Sequence, residues 1–177
     1  MATEFMGDLR KMANEIVRQG AQEDASALAR MAANISRSFA VQPDEVAVLM
    51  LTKDGKYLRF LLPERLQQIG QIPLTSTSSL AARTAREKRP EIINHFSVVP
   101  HASVFEAVRL AEEPGDPIQK IMSAPLTQNK NVVGVIQVSR KAKNALSAGP
   151  DFTPQELKDL LTVADVLAPC VLLCAKD

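Results

Sequence analysis

The sequence predicts an α+β domain, a central antiparallel sheet of five or six strands with helices packed on its faces. Three observations carry this expectation. Short runs rich in β-branched and aliphatic residues alternate with turn residues, as at Lys53-Asp54-Gly55-Lys56 and Gln128-Asn129-Lys130-Asn131. The connections are short, which favours antiparallel pairing of sequential strands. The run from Ile118 to Cys174 reads as strand, tight turn, strand, loop and long amphipathic helix.

The elements follow in order. Phe5, Leu9, Met12 and Ile16 form one apolar stripe on a helix over residues 3–19, and Gly20 suits its end. Asp24 is placed to cap a second helix whose stripe is Leu28, Met31, Ala32, Ile35 and Phe39. Past Pro43, residues 45–52 are apolar on both faces, which predicts a central strand covered on both sides. Asp54-Gly55 favours a two-residue hairpin turn, and Tyr57 to Leu62 returns and stops at Pro63. Residues 70–74 contain Pro73 and suit an edge strand, because proline cannot donate to an interior ladder. The hydroxyl run Thr75 to Ser79 opens a helix over about residues 79–88, and residues 90–94 form another short strand. A brief helix is expected over residues 102–111, before the turn-rich stretch 113–117. Ile118 to Leu126, closing on Pro125, and Val132 to Val138 form the last hairpin.

The last helix has a strongly specified start. Thr153 and Glu156 are spaced for a capping box, and Pro154 sits at the first helical position, where a missing N–H costs nothing. Phe152 and Leu157 are spaced for a hydrophobic staple.

The totals exclude several functions. At 177 residues the chain is long enough for one ordinary domain. A net charge of +1 gives no electrostatic case for nucleic acid or an anionic membrane. No apolar run approaches the ~20 residues that cross a bilayer, and the charged first twenty residues are no signal peptide. A cytoplasmic location is therefore expected. Cys170 and Cys174 lie one helical turn apart, where a disulfide is awkward, so two free thiols are expected.

Several motifs, in order over roughly residues 24–175, resemble the GAF domain, a PAS-like sensory fold. These are Ile72-Pro73-Leu74, Arg89-Pro90-Glu91-Ile92-Ile93-Asn94-His95 and Met122-Ser123-Ala124-Pro125-Leu126, then Gly134-Val135-Ile136-Gln137-Val138 and Phe152-Thr153-Pro154-Gln155-Glu156-Leu157. His95 stands where the family commonly has aspartate. The resemblance implies a stand-alone sensory or regulatory module without catalytic residues. Residues 1–20 form an N-terminal helix outside the domain core, and residues 21–177 form the domain.

Cyclic-GMP-binding members share an Asn-Lys, Phe, Asp-Glu signature. Here those positions read Arg140-Lys141, Phe152 and Glu156-Leu157, so cyclic GMP is disfavoured. A Lys141–Glu156 ion pair is expected between the last strand and the last helix, either as a clamp or as a solvated pair worth ~0.2–1 kcal/mol. No cysteine precedes residue 118, so no covalently attached tetrapyrrole is expected. The enzyme that resembles this fold, free methionine sulfoxide reductase, uses cysteines in loops over its pocket. Cys170 and Cys174 lie instead on the last helix, where buried small side chains are the plainer reading.

The resemblance places the hydroxyls of Thr75, Ser76, Ser78 and Ser79 near the ligand cavity, where a helix start favours an anionic group. Simple N-capping by Ser78 or Ser79 is the alternative reading. Asn94, His95, His101, Phe105 and Ser123 complete the candidate pocket. His95 and His101 lack a third spaced ligand, so no metal site is assigned. The ligand is left as an unidentified small molecule. The last helix carries apolar residues on more than one face, which predicts a homodimer through the N- and C-terminal helices. A protein partner is a further expectation. A ligand-free interaction scaffold, its cavity filled by its own side chains, is the rival reading.

Overall fold

The computed structural model describes residues 2–19, 25–98 and 116–174. Among the described residues, four helices, α1 (Ala2–Gln19), α2 (Ala25–Ser38), α3 (Leu80–Glu87) and α4 (Pro154–Cys174), accompany six strands. The strands are β1 (Val46–Leu51), β2 (Tyr57–Leu62), β3 (Gln71–Pro73), β4 (Glu91–Ile93), β5 (Ile118–Gln128) and β6 (Asn131–Lys141). Single 3₁₀ segments occupy Pro43–Glu45, Glu64–Ile69 and Phe96–Val98. The sheet order is β3-β2-β1-β6-β5-β4, with every pairing antiparallel. The predicted helix over 102–111 and the proposed cap at Asp24 lie outside the described residues.

Strand alternation divides the apolar residues between two layers. Val46, Val48, Met50, Met122, Ala124, Ile136 and Val138 face α1, α2 and α4 and are fully or nearly buried. Leu49, Leu58, Phe60 and Val135 face the other way, toward Ala81 and Ala85 of α3. β1, which is apolar on both faces, is accordingly interior, and the proline-bearing β3 lies at an edge. Leu9 and Ala13 of α1 belong to the same core as Leu160, Leu167 and Val171 of α4, so α1 packs into the core against the last helix rather than standing outside it.

Two local details differ from the expectation. The β1–β2 connection is a four-residue loop rather than a two-residue turn. Gly55 N–H donates to the Thr52 carbonyl (2.8 Å), Thr52 N–H donates to the Tyr57 carbonyl, and only Gly55 has positive φ (+73°). The Asp54 carboxylate shapes the loop by accepting from the Thr52 hydroxyl (2.6 Å) and the Lys56 N–H (3.0 Å). The Thr52 hydroxyl, followed by the Lys56 amide, holds the Asp54 carboxyl below its ordinary pKa. The true two-residue turn is Asn129-Lys130, with φ of 50° and 67°, which joins Gln128 to Asn131. The second difference is that Pro125 does not end β5, which continues to Gln128. β4 pairs no further than Ser123, so Pro125 has no neighbour on that side to be denied a hydrogen bond. At Gly134 the sheet is packed so tightly that a Cβ would overlap the Leu49 carbonyl.

Candidate functional site

The α3 face of the sheet is largely apolar and carries a buried chain of polar side chains. Ser123 and Gln137 are register partners on β5 and β6, and Thr84 descends from α3 onto them. The Thr84 hydroxyl donates to the Leu80 carbonyl (2.9 Å) and lies 2.7 Å from the Ser123 hydroxyl. With its proton committed to Leu80, Thr84 accepts from Ser123, which accepts in turn from the Gln137 side-chain N–H₂ (3.2 Å). All three are buried. Two residues along β6, the Ser139 hydroxyl makes a long contact of 3.4 Å to the Glu45 carbonyl. Gln137 and Ser139 line a hollow of about 10 Å³ with Ala47, Leu66, Ile118 and Ile121 and the charged residues Asp44, Glu45 and Lys141. That is room for about one water.

Residues singled out in the sequence fall into separate places. Ser79 is the N-cap of α3, accepting from the Ala82 N–H (3.2 Å), so the capping alternative holds for this residue. The Ser76 and Ser78 hydroxyls are 3.3 Å apart, and Thr75 is exposed. Arg86 donates from Nη1 to the Leu74 carbonyl (2.6 Å) and the Ser76 carbonyl (2.7 Å), which draws the hydroxyl run back onto α3. None of these four shares a hydrogen bond with Ser123. His95 is exposed, and His101 and Phe105 lie outside the described residues. Among the described residues no three His, Cys, Asp or Glu side chains gather to hold a metal.

Asn94 binds protein backbone. Its Nδ2 donates to the Phe152 carbonyl (3.1 Å), and its Oδ1 accepts the Phe152 N–H (2.9 Å). This side-chain amide completes a strand-like pairing across 58 residues of sequence. The capping box forms as predicted, with Glu156 N–H to the Thr153 hydroxyl (3.2 Å) and Thr153 N–H to the Glu156 carboxylate (3.1 Å). Phe152 is buried and Leu157 half-buried.

The predicted Lys141–Glu156 pair is replaced by Arg140–Glu156, at 3.7 Å. Adjacent strand residues point to opposite faces, so only one of the two can reach α4. Arg140 takes the helix side, where its guanidinium lies 4.5 Å above the Phe152 ring and donates to the Phe39 and Ala40 carbonyls at the end of α2. Lys141 turns to the other face. Its N–H reaches the Glu45 carboxylate (2.5 Å) and its ammonium the Asp44 carbonyl (3.1 Å). Lys120, the register partner of Arg140, holds the loop before α4 through the Gly149 carbonyl (2.6 Å) and Asp151 (2.7 Å).

Both cysteines are free. Cys170 is fully buried against the Ala13 carbonyl of α1, and burial, reinforced by Cys174, pushes its pKa up to about 11. Burial also raises that of Cys174.

Sequence reasoning missed Thr84, Gln137, Lys120 and the role of Arg140. A parity signal existed, because Ser123 and Gln137 are polar interruptions in otherwise apolar strands, both falling on the α3 side.

The arrangement defines a class, a single antiparallel sheet with a helix layer on one face and a short helix over polar strand residues on the other. Residues 24–171 match the GAF domain family, and the chain belongs to it. α1 precedes the matched segment. Among solved structures, the chain is similar to the GAF domain of a phosphoenolpyruvate-protein phosphotransferase from Coxiella burnetii, with 13% identity, a TM-score of 0.67, and 94% of this chain and 92% of that one covered. The corresponding domain from Acinetobacter gives 13% identity, a TM-score of 0.64 and the same coverage. Free methionine-R-sulfoxide reductase from Neisseria meningitidis, solved with its substrate, gives 14% and 0.56, covering 96% of this chain and 91% of that one. At these identities the likeness establishes the fold alone. No curated protein matches the sequence.

Proposed function

We propose that this GAF domain is a non-enzymatic regulatory module that takes a small molecule on the α3 face of its sheet. In this reading it works as a homodimer through α1 and α4 and signals through that dimer or a protein partner. The observation that carries the reading is the buried Thr84–Ser123–Gln137 chain, a hydrogen-bonding floor set into an apolar layer. Its chemistry suits an uncharged ligand with donors and acceptors. Among the described residues no cation or carboxylate joins that hydrogen-bonded chain. The helix face carries the larger apolar core, and its charged side chains Arg140 and Lys120 are committed to protein partners. The departed signature at Arg140, Glu156 and Leu157 weighs against cyclic GMP, and the positions of the cysteines weigh against a tetrapyrrole adduct.

A ligand-free scaffold is the second reading. It is favoured by the size of the hollow beside Gln137 and Ser139, which is far below that of a ligand pocket. An enzyme of the methionine sulfoxide reductase type is third. Cys170, with its raised pKa, lies on the helix side of the sheet, away from the polar floor.

Native mass spectrometry of the full chain purified from its own host tests the reading. A dimer carrying a stoichiometric small-molecule mass that is lost with Ser123→Val supports it. Bare polypeptide mass in every preparation overturns the sensor in favour of the scaffold.

A further inference from the structure

Asn94 stands at a junction. It follows β4, lies two residues before the buried Phe96 on the α3 side, and grips both backbone polar groups of Phe152 at the entry to α4 on the helix side. The far side of Phe152 is held by Arg140, whose guanidinium covers the ring while binding the Phe39 and Ala40 carbonyls just past α2 and approaching Glu156 on the first turn of α4. Arg140 is buried, and its Nε has no acceptor among the described residues. Its charge is offset by Glu156, by the carbonyl end of α2 and by the ring face. A shift of the Phe152 backbone therefore disturbs several interactions at once.

We infer that Asn94 is a coupling residue. Movement of the chain after β4 on the α3 face reaches α4 and the end of α2 around the sheet edge, through Asn94, Phe152 and Arg140. As a route for ligand signalling this rests on the proposed sensor reading, but the coupling itself needs no ligand. Two properties make the link specific. The amide of Asn94 satisfies one N–H and one C=O of the same residue, so neither bond can be kept if the strand end moves along its axis. The sheet between the two faces is close-packed, with Gly134 against Leu49, and transmits little by bending.

The test is a double-mutant cycle read by amide hydrogen exchange on the full chain. Phe96→Ala perturbs the α3 side two residues from Asn94. Exchange at Leu157–Leu160 is measured relative to β1 amides, which report global opening. With Asn94 present, Phe96→Ala is expected to accelerate α4 exchange at least ten-fold over β1. In an Asn94→Ala background the same change is expected to accelerate it less than two-fold. An equal acceleration in both backgrounds, or none at α4 with Asn94 present, overturns the coupling. Phe96→Leu replaces Phe96→Ala if the latter does not fold. Absence of ligand in native mass spectrometry leaves this cycle untouched, and an additive cycle leaves the ligand reading untouched.

Discussion

The guanidinium of Arg140 lies 4.5 Å above the ring of Phe152 and joins the end of α2 to the start of α4. Arg140→Ala strips two carbonyls and a carboxylate of their donor in a buried setting. A loss of about 2–3 kcal/mol in urea denaturation is expected. Arg140→Lys keeps the charge but loses the planar fork, and a loss of about half that size is expected.

Thr153 and Glu156 separate capping from charge. Thr153→Ala removes the acceptor for the Glu156 N–H and is expected to cost about 1 kcal/mol. Glu156→Gln retains the reciprocal bond to the Thr153 N–H and loses only the charge facing Arg140. It is expected to cost less, and a larger loss than in Thr153→Ala would reverse the assignment. Denaturant midpoints of the two variants decide.

Gly134→Ala tests the close approach of β6 to β1. The added methyl meets backbone, which cannot rotate away as a side chain would, so the strands must separate. Soluble expression is expected to fall sharply, and any folded fraction should melt well below wild type in circular dichroism.

Cys170 makes stability fall in alkali. Its folded pKa of about 11 exceeds the ordinary 9.0, so the folded chain keeps a proton that the unfolded chain releases. The contribution is complete below pH 9 and disappears as pH rises toward 11. The drop in denaturation midpoint over that window is expected to shrink in Cys170→Ala. At neutral pH the native thiol should resist a disulfide reagent that modifies it readily in urea.

The proposed dimer places exposed Val17 and Leu172, 46% and 43% accessible, at the contact. Light scattering at micromolar concentration is expected to give twice the 19.3 kDa chain mass. Val17→Glu with Leu172→Glu should return it to one chain mass. A monomeric wild type would end the dimer proposal.

Local features are legible in the chain alone. The apolar periods of α1, α2 and α4, the Thr153–Glu156 box and the edge proline of β3 each depend on residues within one or two turns of one another, and each is realised. Even locally the choice between competing side chains was not legible. Asp54-Gly55 made a longer loop because the Asp54 carboxylate found Thr52 and Lys56. The tertiary structure alone decided everything governed by strand parity and distant pairing. Parity sent Arg140 rather than Lys141 to Glu156, brought Ser123 to Thr84 and Gln137, and pairing across 58 residues turned Asn94 from a pocket candidate into a partner of Phe152. A one-residue change of register exchanges the two faces of a strand, and that register is set by the whole sheet rather than by the strand's own residues.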